Sequence, residues 1–390
     1  MGFLPFYIAT RNKRLRIVII GGFYAGLAAL TTLVRHAPNI DITIIDPEDH
    51  HLKITHLHET FRYPLSDFVI PFTDLVNRFG FRHIRASITV DEENLQNWQK
   101  DKCLVINKEI LNFDCLLVAT GCKNKKITNG ENVLVLQDFM KTSGSDLLSS
   151  LLQKNNKSEQ IISVVGGGAT GIQFLFEIKQ FLQRKRIKGK LRLIHSHDHI
   201  LEKFPASFNS YVRSCMNESN IDFYPDTYYC EQQIGKILLE EKRTKRQFEL
   251  LSDHSILFLG KKEDKLFNTN AFGQVIVNQE SLKNIFVAGD CSYYQSLGSN
   301  SLTAQSAVRK GQLAARNILR HSGIIGLLEP YLHHEIGYVV NLGPTDAVGW
   351  LVTEGNLVTG LPALVIKEVV EAQYDFLLAG IDTYFGKITI

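Results

Sequence analysis

The chain has 390 residues, 44% hydrophobic and 21% charged, with a formal net charge of +3. That length exceeds one ordinary core and implies two or three globular domains, and the composition excludes a disordered or fibrous chain. So small a charge gives no global electrostatic case for nucleic acid, and no nucleic-acid partner is expected.

At the start, the apolar MGFLPFYIA precedes the basic RNKRLR (Arg11–Arg16). The pair reads as a solvated leader or, second, as a patch leaning on an anionic membrane surface. Its charges follow the apolar run, so it is not read as a secretory signal, and Phe6 stands where myristoylation prefers Ser or Thr. No apolar run reaches the ~18 residues of a spanning helix, so any membrane contact is expected to be peripheral.

A complete βαβ unit follows: the strand LRIVII, a tight turn, the helix AGLAALTTLVRH and the strand IDITIID. In a GxGxxG turn the first glycine makes the turn, the second lets the backbone approach a pyrophosphate, and the third lets helix pack on strand. Gly21 and Gly26 hold the first and third places, Gly22 the variable one, and Phe23 stands at the close approach. A ring there must clash or swing aside, so the Phe23 ring is expected to point away, with Gly22 bending to keep the path open. Asp46, twenty residues after Gly26, suits a ribose hydroxyl; it suits equally a turn before Pro47. The run HHLKITHLH (His50–His58) reads as loop or site-lining histidines rather than a metal centre.

Further on, DKCLVINKEILNFDCLLVATG reads as short strands ending in a glycine turn at Thr120 and Gly121. The second unit, IISVVGGGATGIQFLFEIKQFLQ, carries all three glycines, Gly166, Gly168 and Gly171, after a strand and opening a helix. The acid expected after its second strand is missing; His195 stands there, beside Ser196 and His197. A carboxylate would repel a 2′-phosphate, so its loss removes the bar against NADP. His195, His197 and His199 alternate along one face, but without a nearby cysteine no metal site is expected.

Next, LKNIFVAGDCS reads as a buried strand ending in Gly-Asp, followed by a helix over about 301–320. The closing LPALVIKEVVEAQYDFLLAGI puts Leu364, Val365, Val369 and Phe376 on one helical stripe, read as packing on the domain or on a homodimer partner before lipid contact. The six cysteines form no CxxC and no regular spacing, which indicates neither a disulfide framework nor a zinc site and fits a reducing, cytoplasmic location.

Four elements thus occur in order: VIIGGFYAGLAAL with IIDPEDHHL, then CLLVATG, VVGGGATGIQFLFEI and IFVAGDCS. This order resembles the pyridine nucleotide-disulfide oxidoreductase superfamily of flavoproteins. The segments NSLTAQSAVRKGQLAARNI and GYVVNLGPTDAVGWLVTEGNLVTGLPALVIKEVVE are similar to the C-terminal parts of type II NADH dehydrogenases, the single-chain NADH:quinone oxidoreductases. The resemblance implies an α/β fold with two Rossmann-like domains and a small C-terminal α+β region. The FAD domain would be discontinuous (14–135 and 265–330), the NAD(P)H domain inserted (136–264), and 331–390 would meet the acceptor, the membrane or a partner copy.

It further implies FAD and NAD(P)H as cofactors and a quinone or similar small acceptor, with any membrane attachment on the inner face. Residue by residue, Asp290 would bond the FAD ribitol and Asp46 the adenosine ribose; Gly21, Gly22, Gly26, Thr120 and Gly121 would lie close to FAD. Ala304 and Gln305 would lie by the isoalloxazine, Gly166, Gly168 and Gly171 under the nicotinamide dinucleotide, and Gln173 near the nicotinamide. Gln173 stands where the family usually has glutamate, and Arg309-Lys310 where it has a polar pair. These departures, with Phe23, leave a non-catalytic binding or regulatory module as one alternative. A sulfide:quinone type using Cys122 and Cys291 is another, and a soluble electron-acceptor protein a third.

Overall fold

The structure, a computed structural model, describes residues 14–37, 39–122, 130, 132–155, 159–260, 266–323 and 326–384. Residues 1–13 of the leader and the expected boundary at 264/265 lie outside them.

β1 (Leu15–Ile20), α1 (Tyr24–His36) and β2 (Ile40–Asp46) form the first βαβ unit, with β1 and β2 parallel from Leu15 opposite Ile40. Continuous Ile/Val runs suit strands covered on both faces, and β1 is buried along nearly its whole length. β3 (Cys115–Val118) lies parallel on the other side of β1, so Thr120 and Gly121 emerge beside the first glycine turn.

The inserted domain repeats the pattern with β4 (Gln160–Val165), α2 (Ala169–Arg184), β5 (Gly189–Ile194) and β6 (His254–Leu257). Its five strands run in the order 222–224, β5, β4, β6, 133–135, all parallel. Val133–Val135 pairs with β6 at the edge of this sheet. A three-stranded antiparallel sheet over 227–251 precedes β6.

The chain then returns to the first sheet through β7 (Glu280–Val287), parallel to β3, and α3 (Ala304–Ser322). The completed eight-stranded order is 292–294, 267–269, 274–277, β7, β3, β1, β2, 82–85. α3 presses closely on α1: a Cβ at Gly311 would lie 2.1 Å from the Ala25 carbonyl oxygen. Only glycine allows that approach.

The C-terminal region is a three-stranded antiparallel sheet (337–341, 347–351, 353–359) followed by α4 (Gly360–Leu378). α4 buries Ala363, Lys367, Tyr374, Leu377 and Leu378. Most of the stripe expected to pack faces outward instead: Val365, Val369 and Phe376 are 62%, 59% and 48% exposed, with Leu361 beside them at 66%. The inner row wins because Tyr374 and Lys367 find partners in the first domain. Among the described residues, no helix is long and apolar enough to cross a membrane.

Candidate functional site

The two glycine turns are built alike. Gly21 and Gly166 sit at φ +106° and +112°, and each donates its N–H to the end of the neighbouring strand, Ile45 or Ile194, at 2.9 Å. A Cβ on Gly21 would strike Ala119 O at 2.3 Å, and one on Gly166 would strike Phe258 O at 2.2 Å. A Cβ on Gly26 or Gly171 would lie 1.9 Å from the carbonyl oxygen of Gly21 or Gly166. Helix and strand therefore meet only because these four positions lack side chains. Neither α1 nor α2 has a side-chain cap or an acid in its first turn, so each presents bare amides and a positive dipole end to an anion.

The turns differ at the close-approach residue. A Cβ on Gly168 would meet nothing within 4 Å, so the path to the α2 amides is open. Its counterpart Phe23 carries a ring, which packs edge-on to His51 at 5.4 Å and joins the aliphatic cluster around Leu52 and Leu57. The ring thus rests on His51 and that cluster. The Phe72 ring lies over Gly22, where a Cβ would come within 2.4 Å, but His195 and Ile200 cover Gly167 in the same way. That covering is part of how both turns are built, not an obstruction of one.

Asp46 is buried at the end of β2; its carboxylate accepts the N–H of Gly22 at 2.7 Å and of Glu48 at 2.9 Å. Burial pushes its pKa up, and these two amides act against it. Thr120 and Gly121 follow β3 and Asp290 follows β7, so they lie along the same carboxyl-terminal edge of the sheet as the Gly21 turn and Asp46. Gly121, at φ +66°, faces open space. The Cys122 thiol donates to Asp290 O at 2.7 Å, tying the crossover to the Gly-Asp turn. The uncapped helix, the bare turn and the buried carboxylate fit the pyrophosphate and ribose of FAD.

α3 starts at Ala304, capped by Thr303, whose hydroxyl accepts Ser306 N–H at 3.0 Å; Gln305 is half-buried in that first turn. Lys310 is fully buried: its ammonium donates to Ser292 O and Asn300 Oδ1, both at 3.1 Å, and lies 5.1 Å from the Tyr294 ring centre. Burial pulls its pKa down to about 8. Lys310 therefore braces the 292–300 segment. Arg309 lies over the Tyr384 ring, its buried Nε without a partner among the described residues. Burial pushes the Cys291 thiol up, leaving it a poor thiolate for sulfur relay.

In the second domain, Gln173 is half-buried near the start of α2. Farther along, Glu177 is held by Arg62 at 3.0 Å, which docks α2 on the first domain's 54–61 segment. His195 lies at the end of β5, its Nδ1 accepting Gly167 N–H at 3.1 Å. His199 pairs with Asp198 instead, so the alternating trio does not act together.

The run read as loop or site-lining histidines is buried at His51 and His58, and the Lys367 network beside it escaped the sequence reading. His51 is fully buried, bonded through Nε2 to Tyr374 at 3.1 Å, with burial lowering its pKa to about 3. The Lys367 ammonium bonds Glu59 at 2.8 Å and Glu371 at 2.9 Å. The Lys367/Glu371 spacing of four is the one signal that could have flagged that network. Beside it, a cleft of about 510 Å³ is lined by Arg62, Tyr63, Asn341, Leu361, Val365 and Val369.

Comparisons agree with this architecture. The type II NADH:quinone oxidoreductase of Staphylococcus saprophyticus is 24% identical over 96% of this chain and 99% of its own length. Ferroptosis suppressor protein 1 of Xenopus tropicalis is 22% identical over 87% of this chain and 89% of its own. Among solved structures, the sulfide:quinone oxidoreductase from Aquifex aeolicus aligns with TM-score 0.76 and 16% identity, covering 94% of this chain and 92% of that one. NDH2 from Plasmodium falciparum in complex with NADH aligns with TM-score 0.72 and 15% identity, covering 94% and 97%. These structural likenesses show the fold. Residues 15–311, which span both glycine turns and the Gly-Asp turn, match the pyridine nucleotide-disulphide oxidoreductase family, and the chain belongs to it.

Proposed function

We propose that the protein is an FAD-dependent NAD(P)H dehydrogenase that delivers electrons to a quinone or a similar small acceptor. The observation that carries this reading is the duplicated turn: two bare helix starts of the same build, one beside a buried carboxylate and one opened by Gly168. FAD, when bound, supplies the group that takes hydride from the nicotinamide and passes electrons onward. The chain's own work is positioning. The α1 amides and Gly21–Gly22 hold the flavin pyrophosphate, and Asp46 accepts from the adenosine ribose. Asp290, Thr120 and Gly121 border the remainder of that cofactor, with Ala304 and Gln305 at the acceptor side. The α2 amides and Gly166–Gly168 hold the nicotinamide dinucleotide, with Gln173 beside its reacting end.

The type II oxidoreductase relative, matched over nearly its whole length, supports NADH and a quinone as the two substrates. The apolar wall of Leu361, Val365 and Val369 supports peripheral membrane contact through α4 and suits an apolar acceptor. Reconstitution with FAD tests the reading. Addition of NADH or NADPH under anaerobic conditions should bleach the flavin absorbance, and a short-chain quinone should restore it. A protein that takes up no flavin, or whose flavin neither nucleotide bleaches, is not this enzyme and fits the non-catalytic alternative.

A further inference from the structure

The second dinucleotide turn lacks the acid expected at the end of β5, and the fold brings one to the same place from seven residues downstream. We propose that Glu202 reads the adenosine ribose of the nicotinamide dinucleotide in place of that acid and sets a preference for NADH over NADPH. This rests on the dinucleotide-binding reading above.

His195 Nδ1 accepts the Gly167 N–H at 3.1 Å, so a neutral His195 carries its proton on Nε2. That nitrogen faces the Glu202 carboxylate at 3.4 Å, and His197 Nδ1 meets the same carboxylate oxygen. The backbone fixes the approach, because Leu201 N–H donates to Gly167 O at 2.8 Å, and the His195 ring and Ile200 cover Gly167. The loop after β5 is thus folded back onto the glycine turn, and the carboxylate is clamped there.

The first turn has the direct version of this device. Asp46 accepts the Gly22 N–H itself, whereas at the second turn an imidazole takes the amide and passes the position on to Glu202. The first arrangement puts a carboxylate on the second residue of the turn, and the second puts one on the far side of the imidazole bonded to that residue. A carboxylate there accepts from free ribose hydroxyls and repels a 2′-phosphate. His195, His197 and Glu202 also lie close enough together to suggest a metal site. With Nδ1 committed to Gly167, however, Nε2 of neutral His195 has no free lone pair for an ion.

The test compares wild type with Glu202→Gln in the full chain, using calorimetric titration with NADH, NADPH, ADP-ribose and 2′-phospho-ADP-ribose. Wild type should favour the unphosphorylated ligand of each pair. In Glu202→Gln the ratio of NADPH to NADH dissociation constants should fall about tenfold, equivalent to about 1.4 kcal/mol, with the same shift for the fragments. An unchanged ratio, or a wild type that already favours the 2′-phosphate, overturns the role of Glu202 while dinucleotide binding stands. If wild type binds none of the four ligands, the dinucleotide reading fails and the inference fails with it.

Discussion

The Asp46 carboxylate accepts the backbone N–H of Gly22 at 2.7 Å, locking the end of β2 to the glycine turn at the mouth of α1. The carboxylate is a charged acceptor in a buried place, where such bonds contribute about 1.5–3 kcal/mol. Asp46→Ala should weaken FAD affinity by at least about tenfold. Flavin retained per mole of protein after gel filtration, followed by titration with free FAD, measures this.

Phe23 gives the opposite expectation. Its ring is packed at His51 and away from the turn, so Phe23→Gly should leave FAD affinity within about threefold of wild type. Stability should nonetheless fall by about 1–2 kcal/mol from lost apolar burial. A tenfold gain in FAD affinity would show that the ring does obstruct the site.

Gly168 and Gly171 separate binding from folding. A side chain on Gly168 enters open space at an ordinary negative φ, so Gly168→Val should melt close to wild type yet lose NADH-dependent flavin bleaching. At Gly171 a Cβ would stand 1.9 Å from a backbone oxygen, and Gly171→Ala should cost about 3 kcal/mol by forcing helix from strand. Urea denaturation distinguishes the two.

Lys367 is enclosed by Glu59 and Glu371, and one ammonium serves both. Burial works to raise the Glu59 pKa, but the His56 bond and the Lys367 charge hold it well below the ordinary range. Burial is the larger influence on Glu371 and leaves it raised. Lys367→Met strands these carboxylates and should cost about 3–5 kcal/mol in urea denaturation at neutral pH.

Mild acid should destabilise the protein through its buried histidines. Burial lowers His51 to about 3 and His333 to about 4, and holds His58 well below 6.5. The unfolded chain binds protons at these sites near pH 6.5 and the folded chain does not. Their contribution is therefore complete above pH 6.5 and is lost as pH falls toward the folded values. Each site contributes a slope of up to about 1.4 kcal/mol per pH unit. Unfolding free energy measured between pH 6.5 and 4.5 should fall steeply, and His51→Gln should reduce the slope by about one such increment.

The two βαβ units, their glycine turns and the Gly-Asp turn are legible in the residues alone, because they depend on local periods and on positions that tolerate no Cβ. Gly21, Gly26, Gly166 and Gly171 were legible for that reason, and so was the need for Phe23 to turn aside. The remainder depends on contacts between residues far apart in the chain. Glu202 reaches the turn through a loop whose spacing carries no motif, and Val133–Val135 joins the second sheet through a pairing more than a hundred residues distant. The inner face of α4 was decided by what waits in the first domain. Lys367 and Tyr374 are turned inward by Glu59 and His51, some three hundred residues earlier, while Val365 and Val369, apolar but without partners there, are left outside. Periodicity records which residues share a helical face, but the direction of that face depends on the bonds and packing available after the chain has closed on itself.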